Sequence, residues 1–138
     1  MGTSKYINLI KIEPDKEKAK ALFSLSEKRL SKIKFYDEEK ESELALEAYY
    51  ETAKELITAI MFSCGWKSLG HEEMIIYLKQ NYPEFQEWET ELLNQMRIKR
   101  NRIVYEGAGI DPSYLKRNRA GILGIIRKLK EIAKSKFT

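Results

Sequence analysis

The chain has 138 residues, the usual size of one domain and enough to bury a real core. Hydrophobic residues make up 43%, with only 7 Gly and 3 Pro among abundant Lys, Glu, Leu, Ile and Ala, a balance that excludes disorder and favours helix over sheet. A formal net charge of +4 permits a nucleic-acid partner without requiring one, so where the charge lies matters more than its sum.

A single cysteine, Cys64, excludes a disulfide within the chain and any cysteine-based zinc cluster. The start, MGTSKYINLIKIE, has no extended apolar core followed by a small-residue cleavage site, and Tyr6 stands where a myristoylation signal needs Ser or Thr. The longest nearly uncharged run, Leu56–Trp66, is too short to span a bilayer. These features predict a cytoplasmic protein away from the membrane, with no cofactor and no metal centre.

The expected elements are five helices in one all-α domain spanning 1–138, with about 1–13 as an N-terminal extension and no strand. Pro14 and Asp15 open the first, about Asp15–Lys34, in which Ala19, Leu22, Phe23, Leu30 and Ile33 recur at helical spacing. In the second, Leu44, Ala48, Thr52, Leu56 and Ile60 form one stripe, while Leu46, Tyr49, Tyr50, Ala53 and Ile57 form another. So wide an apolar arc marks a central helix, ending near Cys64 because Gly65 follows. After the linker GWKSLGH, a short helix over Glu72–Gln80 stops at Asn81-Tyr82-Pro83.

The fourth helix is expected to start near Pro83, with Phe85, Trp88, Leu92, Met96 and Ile103 on one stripe. The fifth runs from about Ser113 to Lys134 and buries Ile122, Ile125, Ile126, Leu129 and Ile132. Short loops between amphipathic helices predict an up-and-down antiparallel bundle.

Polar chemistry concentrates at the end of the fourth helix, in MRIKRNRIVYEG. Arg97, Lys99, Arg100 and Arg102 fall within six positions, joined by Asn101 and Tyr105. A solvated helix end, its cations complementing the dipole, explains the charge alone. Asn101 inside a helix fits that account less well, because Asn competes for backbone hydrogen bonds. Arg100 is suited to clamp a phosphate with both arms of its guanidinium, with Arg97, Asn101 and Arg102 adding phosphate or nucleotide contacts. Tyr105 can hydrogen-bond a phosphate or stack on a base. Glu47 and Glu51, on the second helix, are candidates to border the basic site and hold Arg100 in place, while Tyr49 and Tyr50 are read as core or dimer-facing. His71 reads as an acid–base group, a helix-start residue or a packing residue. Lys116, Arg117 and Arg119 either extend a phosphate-binding surface or form a solvated face.

Two long helices, the linker Gly65-Trp66-Lys67…His71, a short helix and then Arg100-Asn101-Arg102-Ile103-Val104-Tyr105 together resemble the HEPN family, the "higher eukaryotes and prokaryotes nucleotide-binding" helical bundles. The resemblance covers almost the whole chain. The family's motif is an Arg and a His separated by four to six residues, often with a polar residue directly after the Arg. Arg100 and Asn101 match its first half, while Tyr105 stands in the histidine's place.

The resemblance implies a homodimer whose motifs face a shared cleft, a nucleotidyltransferase partner in a toxin–antitoxin-like pair, and metal-independent RNA cleavage with Arg100 and Tyr105 as catalytic residues. Cleavage without a metal needs proton transfer near neutral pH, which suits an imidazole and not a phenol of ordinary pKa near 10, so the Tyr argues against full activity. Residues five apart lie about 140° from one another around a regular helix, so a site using Arg100 and Tyr105 is expected to need either a break in the helix or a second subunit. The competing expectation is a non-catalytic helical dimer serving as a scaffold.

Overall fold

The computed structural model describes residues 9–137, and they form five helices with one small two-stranded sheet. The first helix, α1 (Lys16–Lys32), starts where the Asp15 side chain accepts the Lys18 N–H at 2.9 Å and tightens into a 3₁₀ turn over Ile33–Phe35. Ala19, Phe23 and Ile33 are its buried face, turned toward α2 (Ser42–Ser63).

Helix α2 is the centre of the molecule. It packs against α1 and also against α3 (His71–Asn81), α4 (Glu87–Glu106) and α5 (Pro112–Ser135), so both of its predicted stripes are buried. Leu46, Leu56 and Ile60 are fully enclosed, and each such side chain contributes about 1.5–3 kcal/mol through burial. Leu44 is the exception on its stripe, exposed in the first turn.

The sheet corrects the expectation of no strand. Leu9–Lys11 (β1) pairs antiparallel with Trp66–Ser68 (β2) in the register Leu9 with Ser68, Ile10 with Lys67 and Lys11 with Trp66. Three residues are too few for alternation to show in a sequence. The pairing also absorbs part of the expected N-terminal extension, of which residues 1–8 lie outside the described chain. Ile12 N–H donates to the Gly65 carbonyl and Asp15 N–H to the Phe62 carbonyl, both at 2.9 Å, so the segment before α1 is tied to the end of α2. Gly65 turns that corner with φ +83°.

Helix α4 begins at Glu87, four residues beyond Pro83. The intervening residues form a turn in which Phe85 N–H donates to Tyr82 O. A capping box follows, in which Gln86 N–H donates to Glu89 Oε1 at 2.8 Å. Trp88, placed on the buried stripe by its spacing, is about half exposed, because the first turn of α4 overhangs the edge of α5 at Gly121. The helix runs without interruption to Glu106 and ends on Gly107 at φ +67°. Asp111 caps α5 by accepting the Ser113 N–H, with Pro112 in the first helical position. Ile122, Ile125, Ile126 and Leu129 are buried there, while Ile132 is half-buried. Among the described residues, no helix is long and apolar enough to cross a membrane.

Candidate functional site

The basic end of α4 faces two elements: the middle of α2 and the start of α3. Arg100 reaches back to α2, where its Nη2 lies 2.9 Å from Glu51 Oε2, with both side chains largely buried. The contact is close without being aligned as a hydrogen bond, and Arg100 Nε is buried without an acceptor. Nη1 donates to Asn101 Oδ1 at 3.2 Å. Glu51 also meets Lys54, one turn along α2, at 3.4 Å. Glu51 is therefore shared by two cations, one from each helix.

Glu47 does not enter this cluster; its charge acts instead on Arg29, which pairs with Glu55 at 2.8 Å. Along α2, Glu55 holds α1 while Glu51 holds α4, one turn apart on the helix.

Arg100 and Tyr105 meet without the break or second subunit that their spacing was expected to require. The guanidinium extends along the unbroken helix until its central carbon is 6.0 Å from the Tyr105 ring centroid, within cation–π range. Tyr105 itself is 74% exposed.

Beside this pair lies a cleft of about 300 Å³ lined by Gly70, His71, Glu72, Glu73, Arg97, Asn101 and Tyr105. Its arginine is Arg97, held by two hydrogen bonds from its guanidinium to Asn94 Oδ1 at 2.9 and 3.0 Å. Arg100 stands behind Asn101 and does not line the cleft. Arg102 is exposed and lines neither the cleft nor the Glu51 cluster. The charges at the opening are mixed, with Glu72 and Glu73 in the first turn of α3 opposite Arg97.

His71 is the first residue of α3, and its neighbour is a group that the sequence did not pair with it. Tyr50, on α2, is buried at 3% exposure, stacks on the imidazole with centroids 5.9 Å apart and places its hydroxyl 3.1 Å from Nδ1. Burial pushes the Tyr50 phenol up to about 12, against the pull of Arg97 and Arg100, so it stays protonated near neutral pH. Burial also lowers the His71 pKa, helped by Lys54, Arg100 and Arg97 and opposed by Glu51. Burial and the three cations together favour the neutral imidazole.

Lys54 and the Tyr50–His71 pair are the members of the site missed from sequence. The position of Lys54 three residues after Glu51 was a visible signal; nothing local connects Tyr50 to a residue 21 positions away. The cations at the start of α5 do not extend the site. Arg117 donates to Ser113 Oγ, Arg119 pairs with Glu38 on the turn before α2, and Lys116 is exposed. Among the described residues, no group of three His, Cys, Asp or Glu side chains could hold a metal ion. Comparison with protein-family models, with curated proteins and with solved structures finds no match to this chain.

Proposed function

We propose that the chain is an HEPN-like helical bundle that binds a nucleotide or a segment of RNA at the cleft between α3 and the end of α4. The observation that carries this reading is the set of groups turned onto one opening. Arg97, Asn101 and Tyr105 line it from a single face of α4, one helical turn apart, and His71 lines it from α3. A charged donor, an amide, an exposed aromatic ring and an imidazole are the types that engage phosphate, base edge and base face. Arg100, anchored by Glu51, sets the field behind them.

The same reading has the chain act as a homodimer with a nucleotidyltransferase partner, as one half of a toxin–antitoxin-like pair. The exposed Val104 and Tyr105 at the end of α4 suit an interface between copies.

Titration of a labelled nucleotide or short RNA at rising salt tests the binding. Affinity should fall with salt, and Arg97→Ala should weaken it about tenfold, the value of one charge-assisted hydrogen bond. Affinity unchanged by both would sink the reading.

The scaffold is the second reading, and the Glu51–Arg100 ion pair favours it, because it spends the motif's arginine inside the fold. A dimer that binds no nucleotide and dissociates on Arg100→Ala would establish it.

A further inference from the structure

A second hollow adjoins the cleft. It occupies about 290 Å³ where the end of α2, β2 and the start of α3 come together, and Gly70 and His71 line both it and the cleft. Each hollow alone lies at the lower bound of the roughly 300–1,000 Å³ typical of small-molecule sites, and the two together fall inside that range.

The two halves differ in chemistry. Met61, Phe62 and Met74 are buried and give the second hollow an apolar floor, with Trp66 as an aromatic wall. Leu69 lines it while remaining 66% exposed, an apolar surface that an occupant would cover. The rim is polar, with Lys54 and Thr58 from α2 and Ser68 from β2. That rim is already shaped, since Ser68 Oγ accepts the Gly70 N–H and donates to the Gly70 carbonyl. The cleft on the other side of His71 is lined by Glu72, Glu73, Arg97 and Asn101.

We propose that the two hollows form one site for a single nucleotide unit, with the base in the second hollow and the phosphate at Arg97 and Asn101. This rests on the nucleotide reading above and specifies how the ligand lies. An apolar, aromatic and thioether-lined slot with a polar rim suits a flat heteroaromatic ring, which stacks on its faces and hydrogen-bonds at its edge. The cleft's two carboxylates, Glu72 and Glu73, fit this arrangement. They repel a bare phosphate, yet they accept hydrogen bonds from the ribose hydroxyls that lie between base and phosphate. Lys54 borders the base hollow and pairs with the Glu51 that holds Arg100 behind the cleft.

The chain has two tryptophans, so Trp88→Phe leaves Trp66 as the sole reporter. In that background, adenosine 5′-monophosphate, ribose 5-phosphate and a short single-stranded RNA are each titrated while tryptophan fluorescence is followed. The nucleotide should bind at least tenfold tighter than ribose 5-phosphate and change the Trp66 emission, while the sugar phosphate leaves it unchanged. Leu69→Ser, at an exposed position, should weaken the nucleotide severalfold and leave ribose 5-phosphate unaffected. Where the free nucleotide gives the Trp66 response the ligand is a free nucleotide; where only the RNA does, it is one unit of a strand. Both outcomes place a base against Trp66. Equal affinity for nucleotide and sugar phosphate with Trp66 silent overturns the base hollow and leaves the phosphate site standing. Failure of all three ligands to bind overturns the phosphate site as well.

Discussion

Glu51 on α2 and Arg100 on α4 approach to 2.9 Å with side-chain exposures of 15% and 12%, and among the described residues the only other cation paired with Glu51 is Lys54 at 3.4 Å. Removing one partner from a buried pair leaves the other charge desolvated and uncompensated. Lys54 and the residual exposure offset part of that loss, so Arg100→Ala should cost about 2 kcal/mol, read as a lower urea midpoint at unchanged slope. The double variant Glu51→Gln, Arg100→Met should cost less than the sum of its two single changes. Single variants that unfold at the wild-type midpoint would show that the pair does not hold α4 to α2.

The corner between α2 and β2 makes a separate demand. Gly65 and Gly107 both adopt positive φ, at +83° and +67°, but their surroundings differ. A Cβ on Gly65 would stand 2.9 Å from the carbonyl oxygen of Ile12, the residue whose N–H is tied to the Gly65 carbonyl, whereas a Cβ on Gly107 would meet nothing within 4 Å. Gly107→Ala should therefore cost only its backbone strain, about 1 kcal/mol. Gly65→Ala should cost more than twice that and should expose the β1 amides to hydrogen exchange. Equal losses at the two glycines would mean that the tether adds nothing to stability.

The helices were legible because their signals are local and repeated: two apolar stripes on α2, the glycine after Cys64, and the Asp111-Pro112 start of α5. The β1–β2 pair was not, since its six residues are drawn together across more than fifty positions and carry no alternation. The site was legible in part. Charge named Glu47 and Glu51 as neighbours of the basic helix end, and Glu51 is the one that meets Arg100. Two points depended on packing that spacing does not encode. Arg100 is turned inward, leaving Arg97 as the cleft arginine, and Tyr50 meets His71 only because α3 docks its first turn on the middle of α2. Arg100 and Tyr105 meet although their helix positions lie about 140° apart, because an arginine side chain is long enough to cross one turn.

His71 gives a pH dependence with a definite sign. Its pKa in the folded chain is lowered by burial and by Lys54, Arg100 and Arg97, so the unfolded chain takes up the proton more readily. Stability should then fall as pH drops from about 7 through the ordinary histidine value near 6.5, and level off once pH is below the folded value. His71→Gln should remove that part of the dependence. As the single histidine, His71 can be titrated by NMR without ambiguity. Its midpoint should lie below 6.5 in the free protein and move upward when inorganic phosphate occupies the cleft, since an anion favours the imidazolium. A midpoint above 6.5 without phosphate, or one that phosphate leaves in place, would contradict the effect assigned to burial and the neighbouring cations.

The exposed Tyr105 separates binding from cleavage. Metal-free cleavage of RNA needs a group that exchanges protons near pH 7, and the motif position holds a phenol, while the neutral imidazole of His71 is hydrogen-bonded to Tyr50. Tyr105→His places a second imidazole beside Arg100 and Asn101 at a solvent-exposed position, so its effect on stability should stay within about 0.5 kcal/mol. Incubated with total tRNA in the presence of a chelator, wild type should bind with little or no cleavage. Tyr105→His should cleave about 100-fold faster or more, the usual contribution of a positioned acid–base group. Adding Arg97→Ala to that variant should abolish the gain, because the phosphate is no longer held. If Tyr105→His cleaves no faster than wild type, the α4 end lacks the geometry for phosphodiester cleavage and the site is one for binding alone. If wild type already cleaves at the variant's rate, proton transfer does not depend on position 105, and His71 becomes the group to mutate.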